Sequence, residues 1–365
     1  MWQRRAFLKA AGAGFAGLLL PRGAEALERG ELVFASAAQK AGGGYAAALV
    51  NETGAVITSV DLPERGHDIV FSPDGAQGVV FARQPGTFAV VFDPGGRVAP
   101  QVLESTVGRH FFGHGTFSPD GRLLYATEND FDNARGVIGV FDVAGGFRRI
   151  GEFDTGGIGP HEMLLMPDGV TLVIANGGIE THPDYGRAEL NLDSMDPSIA
   201  FVDRRDGRML GQLRLDGGLN QLSIRHMAID GKGRVWFGCQ FRGDSTERPQ
   251  LVGYATLDGD IRLIPLPDSV LGGLRNYVGS LAATTDGRLI GVSSPEGNTI
   301  LAIDPEAGQV VAQMGLENGC GIAGDGAGLL ASSGEGALVG FAGSAAAEQH
   351  FDLRFDNHLR LQPRG

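Results

Sequence analysis

Gly66-His67-Asp68-Ile69-Val70-Phe71-Ser72-Pro73-Asp74-Gly75 is the first of three related stretches, followed by Gly113-His114-Gly115-Thr116-Phe117-Ser118-Pro119-Asp120-Gly121 and Pro160-His161-Glu162-Met163-Leu164-Leu165-Met166-Pro167-Asp168-Gly169. Each joins a histidine, a short apolar run and a Pro-Asp-Gly turn, and His67, His114 and His161 recur at intervals of 47 residues. A fixed period in this range marks a propeller or solenoid, in which one supersecondary unit recurs.

Outward from the turn, each unit reads as an inner strand, the turn, a second strand, a longer loop, a third strand often ending near Asp, a Gly turn and a fourth strand. Third strands of this kind stand at 88–93, 137–142, 199–203 and 300–304. β-Branched and aromatic runs separated by Asp-Gly and Gly-Gly signals are what antiparallel blades require. Six complete units begin near His67, His114, His161, His226, Gly279 and Cys320. The seventh needs both chain ends, with strands near 32–37, 45–50 and 56–62 completed by an inner strand at 357–362. The fold predicted is all-β, a seven-bladed β-propeller closed by its terminal strands, with very little helix. Such closure removes exposed sheet edges. A sandwich of tandem repeats matches seven near-equal four-stranded units less well.

Inner strands line a propeller's channel, and the residue that opens each one stands at one rim. The seven rim positions read His358, His67, His114, His161, His226, Gly279-Ser280 and Cys320. Five of the eight histidines therefore gather at one class of position, which predicts a metal-binding ring. Imidazole ligands without carboxylates point to iron or copper rather than calcium or magnesium, and Cys320 would bias the site toward a softer ion. The register is uneven, because His67 and His161 lie seven residues before the turn aspartates and His226 only four before Asp230. Three or four true ligands are expected.

Loops between second and third strands share the rim with the ring. The longest, 176–197 in the fourth blade, reads as a lid that offers His182, Glu180 or Arg187 to the channel mouth. Glu162, beside His161, suits a group that orients an imidazole or acts as a general base. Arg65, Arg83, Arg225 and Arg275 also fall near the rim, where an arginine can grip a carboxylate or phosphate, with Arg225 an additional candidate for the site. Gly-x-Ser-x-Gly, Walker and dinucleotide motifs, and the Cys-x-x-Cys-His of covalent haem, are missing from the chain.

At the amino terminus, Arg4-Arg5-Ala6-Phe7-Leu8-Lys9 precedes an apolar, glycine-rich run and the small-residue site Ala24-Glu25-Ala26. This predicts a twin-arginine signal peptide over 1–26, export to the periplasm and a single propeller domain over 27–365. The apolar run is too short for a membrane span. The formal net charge of −13 excludes nucleic acid and anionic lipid as partners. Two cysteines cannot build a disulfide framework, and the differing contexts of Cys239 and Cys320 predict free thiols.

These stretches, with Tyr125-Ala126-Thr127-Glu128-Asn129, Asn176-Gly177-Gly178-Ile179-Glu180-Thr181-His182-Pro183, Ser223-Ile224-Arg225-His226 and Phe355-Asp356-Asn357-His358, resemble a family of exported bacterial propellers of unknown function. The resemblance spans essentially the whole mature chain. Members of that family are typically encoded beside imelysin-like periplasmic proteins and a di-haem oxidoreductase-like protein, which implies iron or copper handling and periplasmic iron-acquisition partners. The blades are also similar, more weakly, to seven-bladed lactonase and surface-layer propellers. Three functions follow as expectations: a metal-binding protein for uptake or handling, a lactonase-like or metal-dependent oxidoreductase, and a metal-free interaction platform.

Overall fold

A computed structural model describes residues 32–363; the signal peptide expected over 1–26 lies outside the described residues. Seven antiparallel sheets follow one another round a ring. In the six made from consecutive strands, chain order is also the order across the sheet, from the inner strand outward. The inner strands are Gly66–Phe71, Arg109–Phe117, Pro160–Leu165, Leu222–Ile229, Ser280–Ala283 and Gly319–Gly324.

The closing blade draws on both ends of the chain, as the sequence predicts. Val33–Lys40, Tyr45–Asn51 and Val56–Leu62 supply three strands. The inner edge is made by Leu353–Phe355 and Arg360–Leu361, both antiparallel to Val33–Lys40. Between the pairs Ala38↔Phe355 and Ala35↔Arg360, residues 356–359 stand opposite only 36 and 37, so the chain there leaves the ladder. That departure carries Asp356 and His358.

Burial follows the layering. Second and third strands such as Gly78–Ala82, Phe88–Phe92 and Ser198–Asp203 are buried at every residue, because neighbouring blades cover both of their faces. An outer strand such as Gln309–Gly315 alternates exposed and half-buried residues, the period-two pattern of a sheet with one wet face. The Pro-Asp-Gly turns repeat one construction. Ser72 Oγ donates to Asp74 Oδ1 at 2.6 Å and Gly75 N donates to Ser72 O at 2.8 Å. Ser118, Asp120 and Gly121 repeat these contacts at 2.6 and 2.9 Å. Gly75 and Gly121 both stand at φ +67°, which accounts for the glycine ending each turn.

Candidate metal centre

A regular strand points successive side chains to opposite faces. The inner strands that bear histidines break this alternation. Ladder shifts fall between Gly66 and Ile69, Phe111 and Gly115, Pro160 and Met163, and Ile224 and His226. A bulge adds residues to one strand and re-aims side chains. The bulges absorb the uneven register of the sequence, and all five ring histidines meet at the centre.

Those five rings are buried, at 4% exposure for His67, 0% for His114, 9% for His161, 1% for His226 and 2% for His358. His67, His161, His226 and His358 form a cycle of ring contacts with centres 5.6, 4.7, 5.0 and 4.7 Å apart. His114 touches all four, at 4.9, 4.9, 6.1 and 4.6 Å. This is the connectivity of a square pyramid with His114 at its apex. Ligating atoms of His67, His114 and His161 lie within 4.8 Å of one another, as do those of His114, His226 and His358.

The outer nitrogens have charged neighbours. His114 Nδ1 lies 2.9 Å from Asp68 Oδ2 and His67 Nδ1 3.4 Å from Asp356 Oδ1. His226 Nδ1 stands 3.7 Å from Glu162 Oε2, which accepts the Met227 N–H at 2.7 Å. A carboxylate at Nδ1 holds the proton there and turns the Nε2 lone pair inward, the usual support of a metal-binding imidazole. His161 differs, because its Nδ1 faces Arg225 Nη1 at 3.4 Å. The Nε2 atoms of all five rings are buried and have no hydrogen-bond partner.

Arginines fix the carboxylates in turn. Arg360 donates to both oxygens of Asp68 at 2.8 and 2.7 Å and to Glu162 Oε1 at 2.6 Å. Arg83 Nη1 and Arg65 Nε reach Asp356 at 2.9 and 2.5 Å. Burial alone would raise Glu162, but Arg360 and then His226 bring it down to about 2. Asp68 is likewise held well below the carboxylate range by Arg360 and His114 against its burial. Burial pushes His67 down to about 3 and His226 to about 4. Burial first, then neighbouring imidazoles, sets His161 and His358 well below the ordinary value. These four rings are therefore neutral near pH 7, the form a metal requires.

A cavity of about 150 Å³ lies over the cluster, touching His67, His161 and His226. The insertion at 176–197 forms part of its wall, so the lid stands on the same face as the ring. Thr181 ties it down, accepting from Gln84 Nε2 at 2.8 Å through its hydroxyl and from Asn129 Nδ2 at 3.1 Å through its carbonyl. The expected lid ligands do not join the cluster. His182 accepts the Asp184 N–H at 3.2 Å and turns toward Asp132 and Phe131, and Glu180 is absent from the wall. Arg187, the third residue expected of the lid, does line it, beside Glu189. A second hollow, about 630 Å³, is lined by Pro73, Asp93, Arg97, Pro119 and Phe147 among the turns, away from the histidines.

Cys320 also stands apart from the metal-ready groups, although it holds a rim position. Its buried Sγ lies 3.5 Å from both Ser332 O and Phe355 O, and burial pushes the thiol up to about 12. A protonated thiol turned to carbonyls is no soft ligand. Both cysteines are free, as expected. The sequence reading missed Asp68, Asp356 and Arg360. The signal for the first was the acidic residue that directly follows His67, as Glu162 follows His161.

A family model described as "Protein of unknown function (DUF1513)" matches residues 60–362. No curated protein matches the chain. Among solved structures, Kuenenia stuttgartiensis hydrazine synthase is similar, with 17% identity and a TM-score of 0.62 over 79% of this chain and 86% of that one. At that identity the likeness shows the fold alone.

Proposed function

The chain belongs to this family of unknown function, and we propose that it is a metal-binding propeller holding iron or copper in its histidine cluster for uptake or handling. One observation carries the reading: five buried Nε2 atoms converge with no protein partner. A buried polar atom left unsatisfied costs about 1–3 kcal/mol, so five together at one point favour an ion among them. The fit supports this. An imidazole nitrogen about 2.1 Å from an ion sets ring centres about 4.5 Å apart at right angles and about 6.4 Å apart when opposed, and the eight ring contacts run from 4.6 to 6.1 Å. Five rings exceed the four ligands of a tetrahedral zinc site and suit iron or tetragonal copper. With Cys320 outside the cluster, the case for a soft ion lapses. Bound there, the ion would supply Lewis acidity or redox change; the chain's own residues orient the imidazoles and keep the site dry.

Periplasmic location and twin-arginine export belong to the same proposal, supported by Arg4-Arg5 and the run that follows. No described helix is long and apolar enough to cross a membrane. A second reading, a metal-dependent oxidoreductase, is favoured by the cavity touching the cluster on one side.

Elemental analysis of untagged protein purified from the periplasm should find about one iron or copper per chain. A protein that carries neither and takes up neither after chelation and reloading would make the propeller an interaction platform. Ligand geometry has its own check. Gly113 stands at φ +104°, and a Cβ there would meet His67 Cδ2 at 2.5 Å. Gly113→Ala should weaken metal retention by about tenfold or more, as loss of imidazole support does. Gly146→Ala, at φ +72° with nothing within 4 Å, bears the same kind of backbone strain and should retain metal like the parent. Equal retention in both variants would separate the metal site from His67.

A further inference from the structure

We propose that the cavity over the histidine cluster is a binding site for a small carboxylate, gripped by Arg225 and Arg187. Contact between that carboxylate and an ion in the cluster rests on the metal reading; the anion site itself does not. The chain is acidic overall, with a formal charge of −13, yet Arg83, Arg187, Arg225 and Arg242 all line this cavity. Arg83 is paired with Asp356 at 2.9 Å and Arg242 with Glu189 at 3.0 Å. Arg187 and Arg225 have no carboxylate partner among the described residues, so positive charge is left over in the cavity wall.

Arg225 is set in place before any ligand arrives. Its Nε donates to Ser223 Oγ at 2.9 Å, and that hydroxyl donates to Gly177 O at 2.7 Å. Its Nη1 faces His161 Nδ1, while Nη2 has no acceptor among the described residues. A guanidinium carries donors only. Arg225 Nη2, at the wall of the cavity, therefore calls for acceptor oxygens. A planar carboxylate matches a guanidinium fork.

Size narrows the ligand class. A cavity of about 150 Å³ holds a molecule of benzene's size, and the volume here is about the same. Formate, carbonate and oxalate fit, whereas citrate is too large.

The test is calorimetric titration of oxalate into the mature protein, metal-free and iron-loaded, with iron content measured on every sample. One oxalate per chain is expected in the metal-free protein, with citrate giving no heat. Arg225→Gln and Arg187→Gln should each weaken oxalate at least tenfold; Arg187 is exposed on the insertion, so its replacement leaves the core untouched. Oxalate that binds the parent and both variants equally, or binds none of them, overturns the anion site. Iron uptake without oxalate binding would leave the metal reading standing and sink this one. Oxalate binding in a protein that never takes up iron or copper would do the reverse.

Discussion

Removal of residues 356–365 is expected to leave a chain that no longer unfolds cooperatively above room temperature. The deletion takes Leu359, at 1% exposure, and the inner-edge pairs of Val33–Lys40 with Arg360 and Leu361. It also takes Arg360 from Asp68 and Glu162, both at 1% exposure. A buried carboxylate stripped of its partner costs about 3–5 kcal/mol. Two of them approach the whole stability of an ordinary domain, about 5–15 kcal/mol. Arg360→Met separates this electrostatic part from ring closure, since it retains an apolar stem of similar length and removes only the clamp. At about 2–4 °C per kcal/mol for a chain of this order, a loss of about 6–10 kcal/mol should lower the melting point of the point variant by roughly 12 °C or more in chelator, where no bound cation can stand in for the lost charge. Thermal unfolding followed by circular dichroism decides the matter. A truncated protein that melts within a few degrees of the parent would mean that the ring does not depend on its terminal strand.

The same residues show what the sequence carried and what it did not. The seven blades and their closure were legible because strand and turn patterns are local, and a repeat shows them several times over. Convergence of five histidines was legible for the same reason: equal positions in equal units face the same axis. Their supports were not. In a regular strand Asp68 would point away from His67, and only the bulge between Gly66 and Ile69 lets both serve the centre. Asp68 then supports the histidine of the next blade, His114, and Glu162 likewise stands beside His226. That relation crosses between blades, so spacing within a unit does not reveal it.

Cys320 and His182 failed as expectations for a related reason. Strand order places a residue on a rim or in a loop, but the side chain follows its nearest partners. Cys320 Sγ lies against Ser332 and Phe355 carbonyls at the seam of the closing blade. His182 caps a short 3₁₀ turn through Asp184 N. The lid's position and the place of Arg187 at the mouth were legible in the sequence, whereas the inward turn of Glu189 depended on the path of an irregular loop.

Acid should destabilise the metal-free protein well before its carboxylates titrate. His67 and His226 have folded values of about 3 and about 4, below the ordinary 6.5, and His161 and His358 also lie well below it. A base whose value is depressed by folding takes its proton more readily in the unfolded chain. Stability is therefore complete above pH 6.5 and is lost as the pH falls below it toward the folded values. Each such group costs about 1.4 kcal/mol per pH unit, so four together remove on the order of 5 kcal/mol by pH 5.5. Glu162, depressed to about 2, works in a separate window, because its contribution is lost only below the ordinary glutamate value of 4.5. The expected result is a midpoint of unfolding that drops steeply between pH 6.5 and 5 in chelator, with close to four protons taken up. An ion that binds only the folded state adds stability by mass action, so iron- or copper-loaded protein should hold out to a lower pH. Replacing His226 with Gln should reduce the proton uptake by about one. A melting temperature that stays level from pH 7.5 to 5 in chelator would show that these imidazoles are hydrated in solution, and the dry, neutral cluster on which the metal reading stands would fall with it.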